Sequence, residues 1–439
     1  MYQPQQPFFH LEAMGKGGLK AWLAALPFYW HMACKAPRDS LETLHAGEME
    51  GEGRARFFKG LGGGVWRLYR PETLRAAFIG QRAHLIKGRL TQNLMAKTLG
   101  KGLLLTEGSA WAVRRKALNS AFSKEALTIL TTATQNRAEA FAQALKPGSF
   151  SRFQHQLEQF TMHNALAAMF GRIPNLNGLQ MGADIAELLA DMGSLDLADL
   201  LGLPMWVPRM SKRGAAKRLL PRVHKALASL ASEVDEETPT FLALLQAYVA
   251  PEDMMDEILT FFGAGYETTS VALAWACYTL AQNLEIQAQV RKGDANVCKA
   301  FTQEIMRLYP PIAFLTREAT ADFELVEQGH RLSILTGQVI NVPLWVVQRH
   351  PALWSQPEKV RLERFLPGGE GLEHQAAYFP FGIGNRMCIG KHFAEATLLV
   401  CVQCLLARFR LFPSGPAPEP LGQISLRLKG DLGLRLEAL

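Results

Sequence analysis

Apolar residues recur at helical spacing over most of this chain. Between residues 71 and about 308 they fall three and four positions apart, as in Leu118, Phe122, Leu127 and Leu130, or Phe241, Leu244, Leu245 and Tyr248, which predicts a succession of amphipathic helices. The pattern changes at both ends. Residues 53–69 alternate and carry aromatics (Phe57, Phe58, Trp66) around Gly62, Gly63 and Gly64, the signature of a small hairpin. Short strands are expected after Pro311, over residues 323–326 and 338–342. Near the end, Gly415, Pro416, Pro418 and Pro420 precede alternation from Ile424 to Leu436, read as another hairpin. The fold class is therefore mainly α with small β-sheets, an α+β body in which the helices dominate.

No Pro/Gly/Ser-rich linker, repeat or low-complexity tract divides the 439 residues, and 48% of them are hydrophobic, enough for a large core. We read residues 1–439 as a single domain, with residues 1–50 an N-terminal segment whose packing the sequence leaves open. Residues 21–34 carry no lysine, arginine or acid, but they contain Pro27 and His31 and stop at Lys35. A spanning helix needs about 20 apolar residues, so no transmembrane anchor is expected. The segment either packs on the body or rests at a membrane surface. Six irregularly spaced cysteines fit a reducing compartment, hence a cytoplasmic placement. The net charge of +7 comes without a dense basic run interleaved with aromatics, which argues against nucleic acid and suits an acidic protein partner. Arg114, Arg115 and Lys116 are its most compact cluster.

Two stretches depart from what packing alone would choose. Pro251, Glu252 and Asp253 open a long apolar helix whose interior holds Gly263-Ala264-Gly265-Tyr266-Glu267-Thr268-Thr269-Ser270. Each interior glycine costs about 0.5–1 kcal/mol relative to alanine, and a glutamate beside two threonines is out of character there. The second stretch is Phe381-Gly382-Ile383-Gly384-Asn385-Arg386-Met387-Cys388-Ile389-Gly390, which sets one cysteine immediately before another apolar helix. The amides at that helix start would hold a thiolate. Gly384 and Gly390 would admit a flat macrocycle, Phe381 would shield the sulfur, and Arg386 would reach a propionate. The arrangement suits a thiolate on haem iron.

The loop resembles the FxxGxRxCxG signature of the cytochrome P-450 superfamily, the haem-thiolate monooxygenases, at every fixed position. The glycine-bearing helix is similar to that family's AGxET motif, Glu304/Arg307 to its ExxR pair, and Glu363-Arg364-Phe365 to its PERF segment with Leu362 in place of the proline. The order of the motifs matches from about residue 53 onward, and the short connection between Leu284 and Phe301 resembles the soluble bacterial branch. The resemblance implies a single triangular-prism fold, with haem b between the distal helix and the cysteine loop with its closing helix. It implies Cys388 as the iron ligand, and Trp111 and Arg115 (a WxxxR helix), Arg317 and Arg386 at the propionates. Ala264 and Gly265 would make room for dioxygen and substrate, while Thr268 and Glu267 deliver protons. Glu304, Arg307 and Arg364 would form a charged triad supporting the cysteine loop. Pocket walls would include Phe262, Ile312, Phe314, Leu315 and Ile424, all apolar. An apolar small molecule is the expected substrate: a fatty acid, terpenoid, steroid or aromatic compound to be hydroxylated or epoxidised.

Cys401 and Cys404 have no second pair and read as core, so no flavin or iron-sulfur cluster is expected in this chain. Electrons would then come from a ferredoxin or flavodoxin with its NAD(P)H reductase. A peroxide-dependent peroxygenase, a haem-thiolate sensor, and a dehydratase or isomerase of the same fold are the competing readings. The resemblance implies that peroxygenases of this family typically lack the acid/alcohol pair, so its presence here favours dioxygen.

Overall fold

The computed structural model describes residues 53–58, 64–171, 214–232, 241–369, 377–423 and 425–439, together with Leu41, Asp184, Glu187 and Leu188. Strands β1 (Arg56–Phe58) and β2 (Val65–Arg67) pair antiparallel, Phe57 opposite Trp66, so the expected hairpin is present; Gly62 and Gly63 of its turn lie outside the described residues. The hairpin does not stand alone. β2 runs parallel to β8 (Val339–Pro343), which pairs with β5 (Phe314–Ala319), and β5 pairs with β3 (Leu85–Ile86), giving a five-stranded sheet in the order β1-β2-β8-β5-β3. β6 (Phe323–Glu327) and β7 (His330–Ile334) form a tight hairpin closed by Gln328 and Gly329, both at positive φ. A two-residue turn of that kind matches strand twist.

The helices follow the 3.6-residue pattern: α1 (Pro71–Arg75), α2 (Arg89–Leu99), α3 (Gly108–Leu118), α4 (Lys124–Ala144), α5 (Phe153–Phe170), α6 (Gly214–Ser232), α7 (Phe241–Tyr248), α8 (Met254–Gln282), α9 (Leu284–Arg291), α10 (Ala295–Leu308), α11 (Leu344–Val347) and α12 (Lys391–Arg408). Caps set several boundaries. The Ser123 hydroxyl accepts the Ala126 N–H at the start of α4, and Asp294 accepts the Val297 N–H at the start of α10. α8 spans 29 residues, led in by a 3₁₀ turn at Pro251–Asp253, with Asp256 and Glu257 in its first turn where acids meet the positive end of the dipole. It packs on α5, α10 and α12. Ala272, Leu273, Ala276, Cys277 and Leu280 bury one stretch of α8 with Cys401, Leu405 and Leu406 of α12, so Cys401 and Cys404 are core residues, as expected.

The chain terminus departs from the expectation. β10 (Glu419–Gly422) and β11 (Leu426–Lys429) form the hairpin, but β12 (Leu434–Ala438) leaves it and joins β9 (Phe409–Pro413) and β4 (Gly148–Phe150). Gly433 enables the turn away, because a Cβ there would sit 1.5 Å from the Ser414 carbonyl oxygen. Among the described residues, no helix is long and apolar enough to cross a membrane.

Candidate functional site

The cysteine loop is shaped by its own backbone. Gly382 N–H donates to the Phe379 carbonyl (2.9 Å), Met387 N–H to Gly384 (3.1 Å) and Cys388 N–H to Phe381 (2.9 Å). Gly384 is at φ +75°, and a Cβ there would lie 2.5 Å from the Phe78 carbonyl oxygen. Gly384→Ala is therefore expected to force the loop off its seat, lowering both haem occupancy per chain and the unfolding midpoint; wild-type values for both would show that Phe78 can yield. Gly390 ends the loop at the cap of α12, and its N–H bonds the Cys388 sulfur. Cys388 is exposed on the open side of the loop; desolvation by the protein packed round it pushes the thiol up, while the Gly390 amide and the Arg115 guanidinium pull it down. The Lys391 ammonium lies 5.8 Å from the centre of the Phe381 ring.

Beside the loop lies a cavity of about 300 Å³ lined by Phe78, Ile86, Glu107, Trp111, Arg317 and Arg386 among others. Arg386 donates to the Glu107 carboxylate and to the Thr106 carbonyl, and its guanidinium carbon stands 4.0 Å from the centre of the Trp111 ring. Its Nη1 is buried with no hydrogen-bond partner. Arg317 lies over the Phe78 ring at 5.6 Å and is pulled down to about 10 by burial and the Arg386 charge. Arg115 is pulled down by burial, with Cys388 the anion acting on it. Lys87, which motif reading missed, is brought down to about 7 by burial and by Arg317 and Arg386. Glu107 accepts the Lys87 backbone N–H at 2.9 Å and is the carboxylate acting on Lys87, Arg317 and Arg386. Three cations thus gather round one acid, and the Arg115 charge adds to theirs at Arg386. Buried positive excess of this kind, with an orphaned guanidinium N–H, fits a ligand edge bearing two carboxylates, as haem does.

The distal helix α8 presents its chemistry on one stripe. Phe261, Ala264, Gly265 and Thr268, at i, i+3, i+4 and i+7, are the residues of this turn left open, and a Cβ added at Gly265 would meet nothing within 4 Å. Phe262 does not belong to that stripe, contrary to expectation. It is fully buried, stacked on Tyr266 with ring centres 6.0 Å apart, because one residue of helix turns the side chain into the core; Phe261 takes the open position. The Thr268 hydroxyl donates to the Ala264 carbonyl at 2.6 Å. Glu267 faces away from the stripe and is only 7% exposed, its Oε1 accepting from Ser425 Oγ (2.7 Å) and Arg427 Nε (2.6 Å) of the terminal hairpin. Ile312, Phe314 and Leu315 are half-buried at the start of β5, and Ile424 lies outside the described residues.

Glu304, Arg307 and Arg364 come together with no side-chain exposure. Arg307 Nε and Nη2 donate to the two Glu304 oxygens at 2.7 and 2.9 Å, Arg364 Nε to Glu304 at 3.2 Å, and the Arg361 N–H to the same carboxylate at 2.9 Å. Arg364 sits in a 3₁₀ turn, Leu362–Arg364, that forms without the missing proline. Gln348, which no motif flags, ties this group to the cysteine segment: its amide donates to the Met306 and Arg307 carbonyls, and its oxygen accepts the Phe379 N–H at 2.9 Å.

The basic triplet 114–116 is not the surface cluster expected. Arg114 pairs with Asp253 and, at 3.0 Å, with the fully buried Glu257, joining α3 to the start of α8. Arg115 turns toward Cys388, which leaves Lys116 in solvent.

The chain belongs to the cytochrome P450 family, whose model matches residues 62–430. Its relatives include 11-oxo-beta-amyrin 30-oxidase of Glycyrrhiza uralensis, 27% identical over 72% of this chain and 68% of that protein. Leukotriene-B4 omega-hydroxylase 3 of Mus musculus is 24% identical over 85% of this chain and 80% of its own length. Among solved structures, CYP175A1 from Thermus thermophilus superposes with a TM-score of 0.76 at 24% identity, covering 94% of this chain and 98% of that one. Retinoic acid-bound cyanobacterial CYP120A1 gives 0.75 at 22% identity, covering 92% and 97%. The protein is an oxidoreductase of the P450 class with the P450 fold, and the family implies haem ligated by a cysteine thiolate.

Proposed function

We propose that this protein hydroxylates an apolar small molecule with dioxygen, using haem b on Cys388 and electrons from a separate ferredoxin or flavodoxin with its NAD(P)H reductase. The observation that carries the reading is the open stripe of α8, where Ala264 and Gly265 leave space beside a hydroxyl at Thr268. Bound haem supplies the iron that binds and activates dioxygen. The chain's own residues do the rest. The Gly390 amide and Arg115 favour the Cys388 anion, and Lys87, Arg115, Arg317, Arg386 and the Trp111 ring would hold the carboxylate edge. Glu304, Arg307 and Arg364, through Gln348, keep the cysteine segment in place. Phe261, Ile312, Phe314 and Leu315 wall off water and hold an apolar ligand by burial, worth about 25 cal/mol per Å². Released from the Ala264 carbonyl, the Thr268 hydroxyl would hold a proton on the open side of α8, and Glu267 would renew it.

The names of the relatives point to substrates built on a terpenoid (11-oxo-beta-amyrin) or a fatty acid (leukotriene B4), and we carry that class to this chain. Thr268→Ala tests the reading. It should leave the substrate-induced spin shift of the haem spectrum unchanged while product per NAD(P)H falls severalfold and hydrogen peroxide rises. Unaltered yield per NAD(P)H would remove the hydroxyl from the reaction. A spin-state screen of fatty acids and terpenoids, followed by product analysis, fixes the substrate class.

A further inference from the structure

Three phenylalanine rings from three elements close on one another beside the cysteine loop. Phe241, the first residue of α7, meets Phe261 of the open α8 stripe edge-on, with ring centres 4.5 Å apart. Phe122 meets Phe241 edge-on at 5.8 Å and lies nearly parallel to Phe261 at 6.4 Å, so each ring of the triangle has the other two as neighbours. The stem of Phe122 is pinned. It closes the 3₁₀ turn Asn119–Phe122 just before the Ser123 cap of α4, and the Ser123 N–H donates to the Ser120 carbonyl at 3.1 Å. On another side of Phe122 stands Gly390: a Cβ placed on that glycine would lie 3.7 Å from Phe122 Cε1, so the ring covers the place a side chain would take. Gly390 joins α12 to the sulfur, its carbonyl accepting the Ala394 N–H at 2.9 Å and its own N–H donating to Cys388. A glycine has no side chain to fix the direction of that N–H, and the neighbouring ring supplies the packing it lacks.

We propose that Phe122 is a positioning residue for the thiolate, one that holds the Gly390 amide on Cys388 and, through Phe261 and Phe241, carries the packing of the open α8 stripe to the sulfur. The proposal rests on the reading that Cys388 is the iron ligand. A hydrogen bond to a ligating sulfur draws charge from it, and such contacts around the first ligand tune the reduction potential of the metal. Interiors are packed as densely as organic crystals, so a shift of one ring is felt by the rings beside it. Phe261 touches the distal space and Phe122 touches the amide of the thiolate. The sulfur is therefore set from the far side of the site as well as by its own loop.

The reduction potential of the ligand-free holoenzyme, read by spectroelectrochemical titration, tests this without turnover. Phe122→Leu keeps the position apolar and should shift the potential to more negative values, with the Fe–S stretch in the resonance Raman spectrum rising as the sulfur regains charge. Phe261→Leu, a change on the opposite helix, should shift the potential in the same direction. In the double variant the Phe261→Leu shift should disappear, because the ring that transmits it is gone. Phe141→Leu is the control. Its ring stacks on Phe160 at 5.1 Å in a different core cluster, so its loss should lower the unfolding midpoint and leave the potential alone. Should Phe122→Leu fail to hold haem, Phe122→Met takes its place in the same cycle. An unmoved potential at position 122, a Phe261→Leu shift of equal size with and without Phe122, or a comparable shift in Phe141→Leu each overturns the proposal. Failure of the underlying reading is distinguishable, since a ligand other than Cys388 would appear as a red-shifted ferrous carbonyl band surviving in Cys388→His, whatever the phenylalanine variants do.

Discussion

Glu304→Ala is expected to yield a chain that does not retain haem. The carboxylate accepts four hydrogen bonds, from Arg307 twice, from Arg364 and from the Arg361 amide, in a place with no solvent. Its removal leaves two buried guanidinium groups without their counter-charge, and breaking a buried pair from one side costs about 3–5 kcal/mol. Domains have only about 5–15 kcal/mol to lose. The damage also has a direction, because Gln348 connects the Arg307 carbonyl to the Phe379 amide at the head of the cysteine segment. Haem content per chain and the denaturation midpoint measure the effect. Glu304→Gln, which keeps the shape but not the charge, should fall between the two. Normal holoprotein from Glu304→Ala would show that the four contacts do not hold the loop.

Cys388→His carries the second large effect, on electronic character with the fold retained. Imidazole can take the same position on iron but is a neutral donor, so the ferrous carbonyl complex should lose the strongly red-shifted band that thiolate ligation causes. The Gly390 amide and Arg115, which favour an anion at Cys388, would then face a neutral ring. Monooxygenase turnover should vanish while haem remains bound. A red-shifted band in the variant would mean that another cysteine is the ligand. Among the described residues the other cysteines, Cys277, Cys298, Cys401 and Cys404, are all buried in the core, so ligation by any of these would challenge the packing described above; Cys34 lies outside the described residues.

Much of the architecture was legible because its signals are local. The spacing of Leu118, Phe122, Leu127 and Leu130 marks this stretch as helical without showing the break between α3 and α4, and Pro251 with its acids marks the start of α8. The cysteine loop was legible for the same reason, since its glycines and arginine act within a few residues of Cys388. Long-range pairing was not. Nothing in the alternation of residues 424–436 says that β11 pairs backward with β10 while β12 crosses to β9 and β4, since strand pattern sets faces and leaves partners open. Phe262 and Phe261 are equally apolar, so the sequence did not say which of them lies on the open side. Lys87 and Glu107 escaped notice because their role comes from burial beside Arg317 and Arg386, residues more than two hundred positions away.

Three successive basic side chains on α3 point in three directions, since each residue advances the helix by about 100°. Arg114 is bound inside by Asp253 and Glu257, and Arg115 serves the cysteine side, so a visiting protein meets one unit of charge from this triplet where the sequence displays three. Dissolved ions will weaken attraction at Lys116 within a Debye length of about 8–10 Å, yet they barely reach a guanidinium clasped between two acids. Association with a reductant and the joint between α3 and α8 therefore answer to different ionic strengths, and a salt titration can loosen the encounter while α8 stays where it is.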